Sequence, residues 1–200
     1  MRPVILVPGT HAWRGDGRVD WYNSAQFLAH LTAHGYEPLD PRRPFVWSTD
    51  LGGVPFRGLA VWKAAGLNLY AYAVPPRCPE RRVPAAETVV ISHSHGLQVA
   101  LCAAAEGLKI DTLVDVCGPV RMDLRGTAGQ ARPNIRRWVH VHAGRRDRWQ
   151  WFGTLFDGYL GVVREHPLAD QNVAVPEADH GQVLRDPRYF HVVTDALEGA

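Results

Sequence analysis

The chain is expected to be an α/β protein: a mostly parallel, doubly wound sheet of about six strands with helices on both faces. Apolar runs of strand length alternate with runs of helical period along its 200 residues. Several of those strands are apolar throughout instead of alternating with polar residues, as burial on both faces requires. Composition agrees, because 46% hydrophobic and 21% charged residues suit one core of ordinary size and exclude intrinsic disorder. A single domain spanning 1–200 is expected.

Val4–Val7 reads as the first strand, closed by Pro8-Gly9. Ala25–His34 follows as a helix with Phe27, Leu28 and Leu31 on one face, and Asn23 or Ser24 is its candidate cap. Phe45–Trp47 is a candidate short second strand among prolines 38, 41 and 44. Leu59–Tyr72 has helical spacing, weakened by Gly66. Thr88–Ile91 is the next strand, and Leu97–Ala105 is apolar nearly all round, which predicts a buried helix. Thr112–Cys117, Val139–Ala143 and Asn172–Val175 complete the strands. Pro187–Leu197 closes the chain as an amphipathic helix, with Asp186 as cap and Pro187 in its first turn.

Twenty-two basic against 20 acidic residues leave a net charge of +2, which argues against a nucleic-acid partner. No run approaches the roughly 18 apolar residues of a spanning helix, so no stable membrane insertion is expected. The N-terminal run is too short for a secretion signal, which makes the cytoplasm the expected location. Cys78, Cys102 and Cys117 form no close-spaced motif, and Cys102 and Cys117 read as small buried thiols.

One constellation carries chemistry. The strand Thr88–Ile91 runs into Ser92-His93-Ser94-His95-Gly96, and an apolar helix begins at once. A serine at such a turn projects its hydroxyl above the sheet, beside the amides and positive dipole end of the helix. Small residues two before and two after let strand and helix backbones approach, and Ser92 and Gly96 fill those places. This is a G-x-S-x-G elbow with serine for the first glycine. The bland alternative is that Ser94 only caps the helix. Beyond two later strands stand Asp147 and His180, in the order Ser, Asp, His that an elbow serine requires.

On these residues the sequence resembles the α/β-hydrolase superfamily, in its small lid-poor serine lipase and esterase form. The resemblance spans nearly the whole chain and implies a minimal hydrolase fold without a cap domain. It implies Ser94 as nucleophile, Asp147 as triad acid and His180 as general base, with Asp123 as an alternative acid. It also implies an oxyanion hole from the backbone amides of His95 and Thr10, with His11 next in line. Asp179 is expected to point away, and Asp170 to lie at the wrong end of the sheet. His11, Trp13, Trp149 and Trp151 are candidate substrate-binding residues, while Phe152, Phe156 and Tyr159 read as the core stripe of a short helix. Between Cys117 and Val139 there is room for a loop or one small helix.

His93-Ser94-His95 and His140-Val141-His142 have the H-x-H form of metal ligands, and 140 and 142 share a strand face. No H-E-x-x-H or cysteine–histidine set completes a site, so neither a metal nor another cofactor is expected. The function expected is a serine carboxylic ester hydrolase acting on a small-molecule or lipid-like ester. An inactive hydrolase-like binding module and a metal-dependent hydrolase are the alternatives, and oligomeric state is left open.

Overall fold

The computed structural model describes residues 1–9, 25–42, 44–47, 59–74, 88–121, 124–144, 147 and 165–199. Six strands form one sheet: β1 (Arg2–Val7), β2 (Tyr36–Pro38), β3 (Val89–His93), β4 (Ile110–Val116), β5 (Ile135–Ala143) and β6 (Gln171–Val175). Their spatial order is β2-β1-β3-β4-β5-β6, and every neighbouring pair is parallel. The helices are α1 (Ala25–Ala33), α2 (Leu59–Ala73), α3 (Gly96–Ala105), α4 (Arg125–Ala131), α5 (Gln182–Arg185) and α6 (Phe190–Glu198).

The sheet divides the interior into two cores. On one side Leu6, Ile91, Val114, Val116 and Val141 pack against α1 and α6. On the other Ile5, Val7, Val90 and Leu113 pack against α2, α3 and α4. Alternate residues of each strand therefore serve opposite cores, which is why the central strands are largely apolar on both faces. The expected buried helix is α3, whose residues 96–104 are all buried. Gly66 is not merely a weakness in α2. A Cβ there would lie 2.7 Å from the Cys102 Cβ, so the glycine lets α2 and α3 approach closely.

Two expectations need correction. Phe45–Trp47 forms no strand; β2 is Tyr36–Pro38, which pairs with Arg2–Val4 directly after α1. As an edge strand β2 tolerates Pro38. Phe45 and Trp47 are instead buried against the α2 core, and the Trp47 indole donates to the Pro8 carbonyl at 2.6 Å. The expected C-terminal helix also divides. Asp186 accepts from the Arg188 amide and opens a 3-10 turn at Pro187–Tyr189, after which α6 starts at Phe190. Between β4 and β5 the described segment holds α4 and a 3-10 turn at Arg132–Asn134, as its length allows.

The connectivity places a crevice. From β1 the chain steps to β2, then crosses back through α2 to β3 on the other side of β1. The reversal lies between β1 and β3, and α/β sheets bind ligands beyond the strand ends at such a point. Among the described residues no helix is long and apolar enough to cross a membrane.

Candidate active site

Ser94 stands at that reversal, one residue beyond β3. Its φ of 53° lies in the left-handed region, a conformation costing a non-glycine residue of the order of 1 kcal/mol. Hydrogen bonds hold it there: the Ser94 amide donates to the Val116 carbonyl at 2.9 Å, and its carbonyl accepts from the Leu97 amide at 3.0 Å. The N-cap of α3 is His95, not Ser94, and its side chain makes no capping hydrogen bond among the described residues.

The neighbours must be small. A Cβ on Gly96 would lie 2.7 Å from the Pro8 carbonyl oxygen, and one on Gly9 would lie 2.7 Å from the Ser94 Cβ. The exits of β1 and β3 therefore meet backbone against side chain, with the Trp47 indole anchoring Pro8 from outside. Ser92 is fully buried on the α2–α3 side, and its hydroxyl has no hydrogen-bond partner among the described residues.

His180 follows β6, and Asp147 follows β5. The His180 Nδ1 donates to Asp147 Oδ2 at 2.9 Å, which leaves Nε2 as the accepting nitrogen of the neutral ring. Asp147 is fully buried, and the His180 side chain is 15% exposed. Backbone contacts fix the two loops: the Gly144 amide donates to the Val175 carbonyl at 3.0 Å, and a Cβ on Gly144 would lie 2.5 Å from the Pro176 Cα. Asp179 turns away, accepting from the amides of Gly181 and Gln182 at 2.9 Å. Asp170 sits before β6 at the opposite end of the sheet and accepts from the Trp138 amide at 2.7 Å.

His93 joins the two halves of the site. Its Nε2 donates to the His180 carbonyl at 2.9 Å, and the two rings lie 4.9 Å apart. Burial pushes its pKa down to about 3, so the ring is neutral at ordinary pH and keeps that donor.

No protein-family model matches the sequence, and no curated protein matches it. Solved structures do. The esterase Pf2001 of Pyrococcus furiosus aligns over 99% of this chain and 81% of its own, with TM-score 0.57 and 16% identity. A dienelactone hydrolase-like promiscuous phosphotriesterase from metagenomic libraries, P91, aligns over 100% and 86%, with TM-score 0.56 and 11% identity. Polyneuridine aldehyde esterase aligns over 99% and 98%, with TM-score 0.51 and 15% identity. The chain has an α/β-hydrolase fold.

Within this hydrolase fold, sequence reasoning missed three features. Trp62 of α2 stacks on His95 at 5.6 Å and 12°, with the Arg121 guanidinium 4.7 Å over the indole, so an aromatic wall adjoins the elbow. Asp115, on β4, is fully buried and accepts from Trp138 Nε1 at 2.6 Å, His140 Nδ1 at 2.7 Å and the Gly118 amide at 3.2 Å. His166 packs on the Trp138 ring at 4.2 Å, and burial pushes its pKa down to about 4. A lone aspartate inside an aliphatic run was the only local signal for that network. The rings of His140 and His142 do share a face, 5.8 Å apart.

The third is Cys117. Its φ is 55°, and like Ser94 it lies just beyond a central strand. Donor atoms of Cys117, Asp147 and His180 all lie within 4.8 Å of one another. No close-spaced motif announces this set, because the three residues are brought together by three different strands. Thr10, His11, Trp13, Asp123, Trp149, Trp151, Phe152, Phe156 and Tyr159 lie outside the described residues.

Proposed function

We propose that residues 1–200 form one catalytic domain, a metal-independent serine hydrolase of carboxylic esters. The observation that carries the reading is the Asp147–His180 hydrogen bond, with the His180 carbonyl bonded to His93, the residue before the left-handed Ser94. A carboxylate that fixes Nδ1–H leaves Nε2 able to take a serine proton. A left-handed backbone that must be held in place by neighbouring contacts is a mark of a working site.

In this reading His180 deprotonates Ser94, whose oxygen attacks the ester carbonyl. The amides of His95 and Thr10 receive the oxyanion, an arrangement in which losing one donor typically costs about 100–1000-fold in turnover. His180 then protonates the leaving alcohol and activates the water that cleaves the acyl-enzyme. Asp147 stays ionised and stabilises the imidazolium. His11, Trp13, Trp149 and Trp151 are proposed to bind the substrate, and with the Trp62–His95 stack they favour an aryl or acyl ester over a highly charged substrate. With only α4 and a 3-10 turn in the described connection between β4 and β5, turnover is expected to show no jump at the substrate's solubility limit.

Labelling with a fluorophosphonate probe, followed by peptide mass spectrometry, tests this without knowledge of the ester. Wild-type protein is expected to carry the label on Ser94, and Ser94→Ala and His180→Ala to carry none. A folded wild-type chain that takes no label overturns the reading in favour of an inactive binding module.

A further inference from the structure

We propose that Cys117, Asp147 and His180 form an inhibitory site for a thiophilic divalent cation such as Zn²⁺, which switches the proposed hydrolase off by replacing the proton between its acid and its base. The functional consequence rests on the serine hydrolase reading; the metal site does not.

Three observations carry it. The donor atoms lie within 4.8 Å of one another, and Nδ1 and Oδ2 are already 2.9 Å apart. Zinc binds sulfur at about 2.3 Å and nitrogen or carboxylate oxygen at about 2.0–2.2 Å, so two ligands of one tetrahedral ion stand roughly 3.3–3.8 Å apart. Closing the set therefore asks for shifts of no more than about an ångström.

The second is placement. Cys117 follows β4, Asp147 follows β5 and His180 follows β6, so consecutive strands of one sheet present the three donors. The Cys117 amide bonds to the Val141 carbonyl at 2.7 Å, and Gly144 is in contact with Pro176, so the loops are braced against one another. Such bracing lowers the ordering cost of a three-point site.

The third is chemistry and access. One thiol, one carboxylate and one imidazole suit zinc, cobalt or cadmium and disfavour magnesium and calcium, which want oxygen alone. Cys117 and Asp147 are fully buried, and the partly exposed His180 edge gives the ion its way in. The exchange balances. One M²⁺ enters, the Cys117 thiol releases its proton to solvent, the ring proton of His180 moves from Nδ1 to Nε2 so that the neutral imidazole coordinates through Nδ1, and water completes the coordination. With metal on Nδ1 and the ring proton on Nε2, His180 has no nitrogen left to accept the Ser94 proton, so Ser94 is no longer activated.

The test uses the full chain, stripped with chelator, in two measurements. In the first, Co²⁺ is titrated and its spectrum recorded. Wild-type protein is expected to show a thiolate-to-cobalt charge-transfer band at one equivalent, absent from Cys117→Ser and Cys117→Gly. Glycine takes a φ of 55° without strain, so that second variant guards against a folding defect, which circular dichroism checks. In the second, fluorophosphonate labelling is timed with chelator and with Zn²⁺, and each protein's own ratio is read. Zinc is expected to slow wild-type labelling at least about tenfold and reversibly, while removal of one ligand shifts the inhibiting concentration up by at least about tenfold. Magnesium is expected to do nothing. Equal zinc sensitivity in the wild type and both Cys117 variants, or a cobalt spectrum without the thiolate band, overturns the proposal. If the chelated wild type takes no label at all, the hydrolase reading fails, and the cobalt band and its dependence on Cys117 still decide the metal site.

Discussion

Two aspartate–histidine pairs stand out among the described residues, and they are nearly alike as pairs. His180 Nδ1 meets Asp147 at 2.9 Å, and His140 Nδ1 meets Asp115 at 2.7 Å, each with its carboxylate fully buried. Their surroundings differ. His140 is fully enclosed in the α2–α4 core, where Trp138 and Gly118 take up the remaining capacity of Asp115. His180 is 15% exposed beyond the strand ends, next to the residue that precedes an elbow serine. The comparison teaches that a hydrogen-bonded acid and base are not in themselves a site. A closed network spends its polar capacity on structure, whereas an open edge leaves one nitrogen for chemistry.

The sharpest way to break the comparison is to neutralise each aspartate in turn. Asp147→Asn is expected to lower the fluorophosphonate labelling rate of the folded protein by about 10⁴-fold, because the amide no longer fixes the Nδ1–H tautomer. Its urea midpoint is expected to move little by comparison. Asp115→Ala is expected to do the reverse: about 3–5 kcal/mol less stable in urea unfolding, with the folded fraction still labelled. Equal losses of labelling in the two variants would mean that the inner pair belongs to the working site after all.

Acid sharpens the same contrast. His166 stands against the inner pair and titrates near 6.5 in the unfolded chain but at about 4 in the folded one. Falling pH therefore favours the unfolded chain through that window: the contribution is whole above about pH 6.5 and gone by about pH 4. His166→Phe is expected to recover of the order of 2 kcal/mol of the stability otherwise lost between pH 7 and pH 5, read as a smaller shift of the urea midpoint. His93, lowered to about 3, keeps the rest of the protein acid-sensitive in the same direction.

The smallest expected effect is at Ser92. Its buried hydroxyl has no partner among the described residues, so Ser92→Ala is expected to stabilise the fold by about 1 kcal/mol. A thermal midpoint that falls instead would assign that hydroxyl a partner on which the elbow depends.

How far the site was legible follows from how local its parts are. The elbow was readable because Ser92, Ser94 and Gly96 lie within five residues, and a strand and an apolar helix adjoin them. Asp147 and His180 were readable from chain order and from lying just past strands. Nothing local marked Cys117 as their neighbour, since only the pairing of β4 with β5 and of β5 with β6 brings it there. Phe45–Trp47 has the composition of a strand and yet forms none. The edge beside β1 goes to Tyr36–Pro38, which leaves α1 in register with Arg2–Val4. Polar residues in apolar runs, Asp115 above all, are where local patterning yields to long-range partners.

Gly144 carries a consequence for how such a molecule can change. Its bare α-carbon lets the turn after β5 rest on Pro176, so the arms bearing Asp147 and His180 are seated on each other and not merely side by side. A side chain at 144 would push both arms apart together and strain the Asp147–His180 hydrogen bond in a single step. The seat is thus one joint made by a missing side chain, and any change at 144 acts on both arms at once.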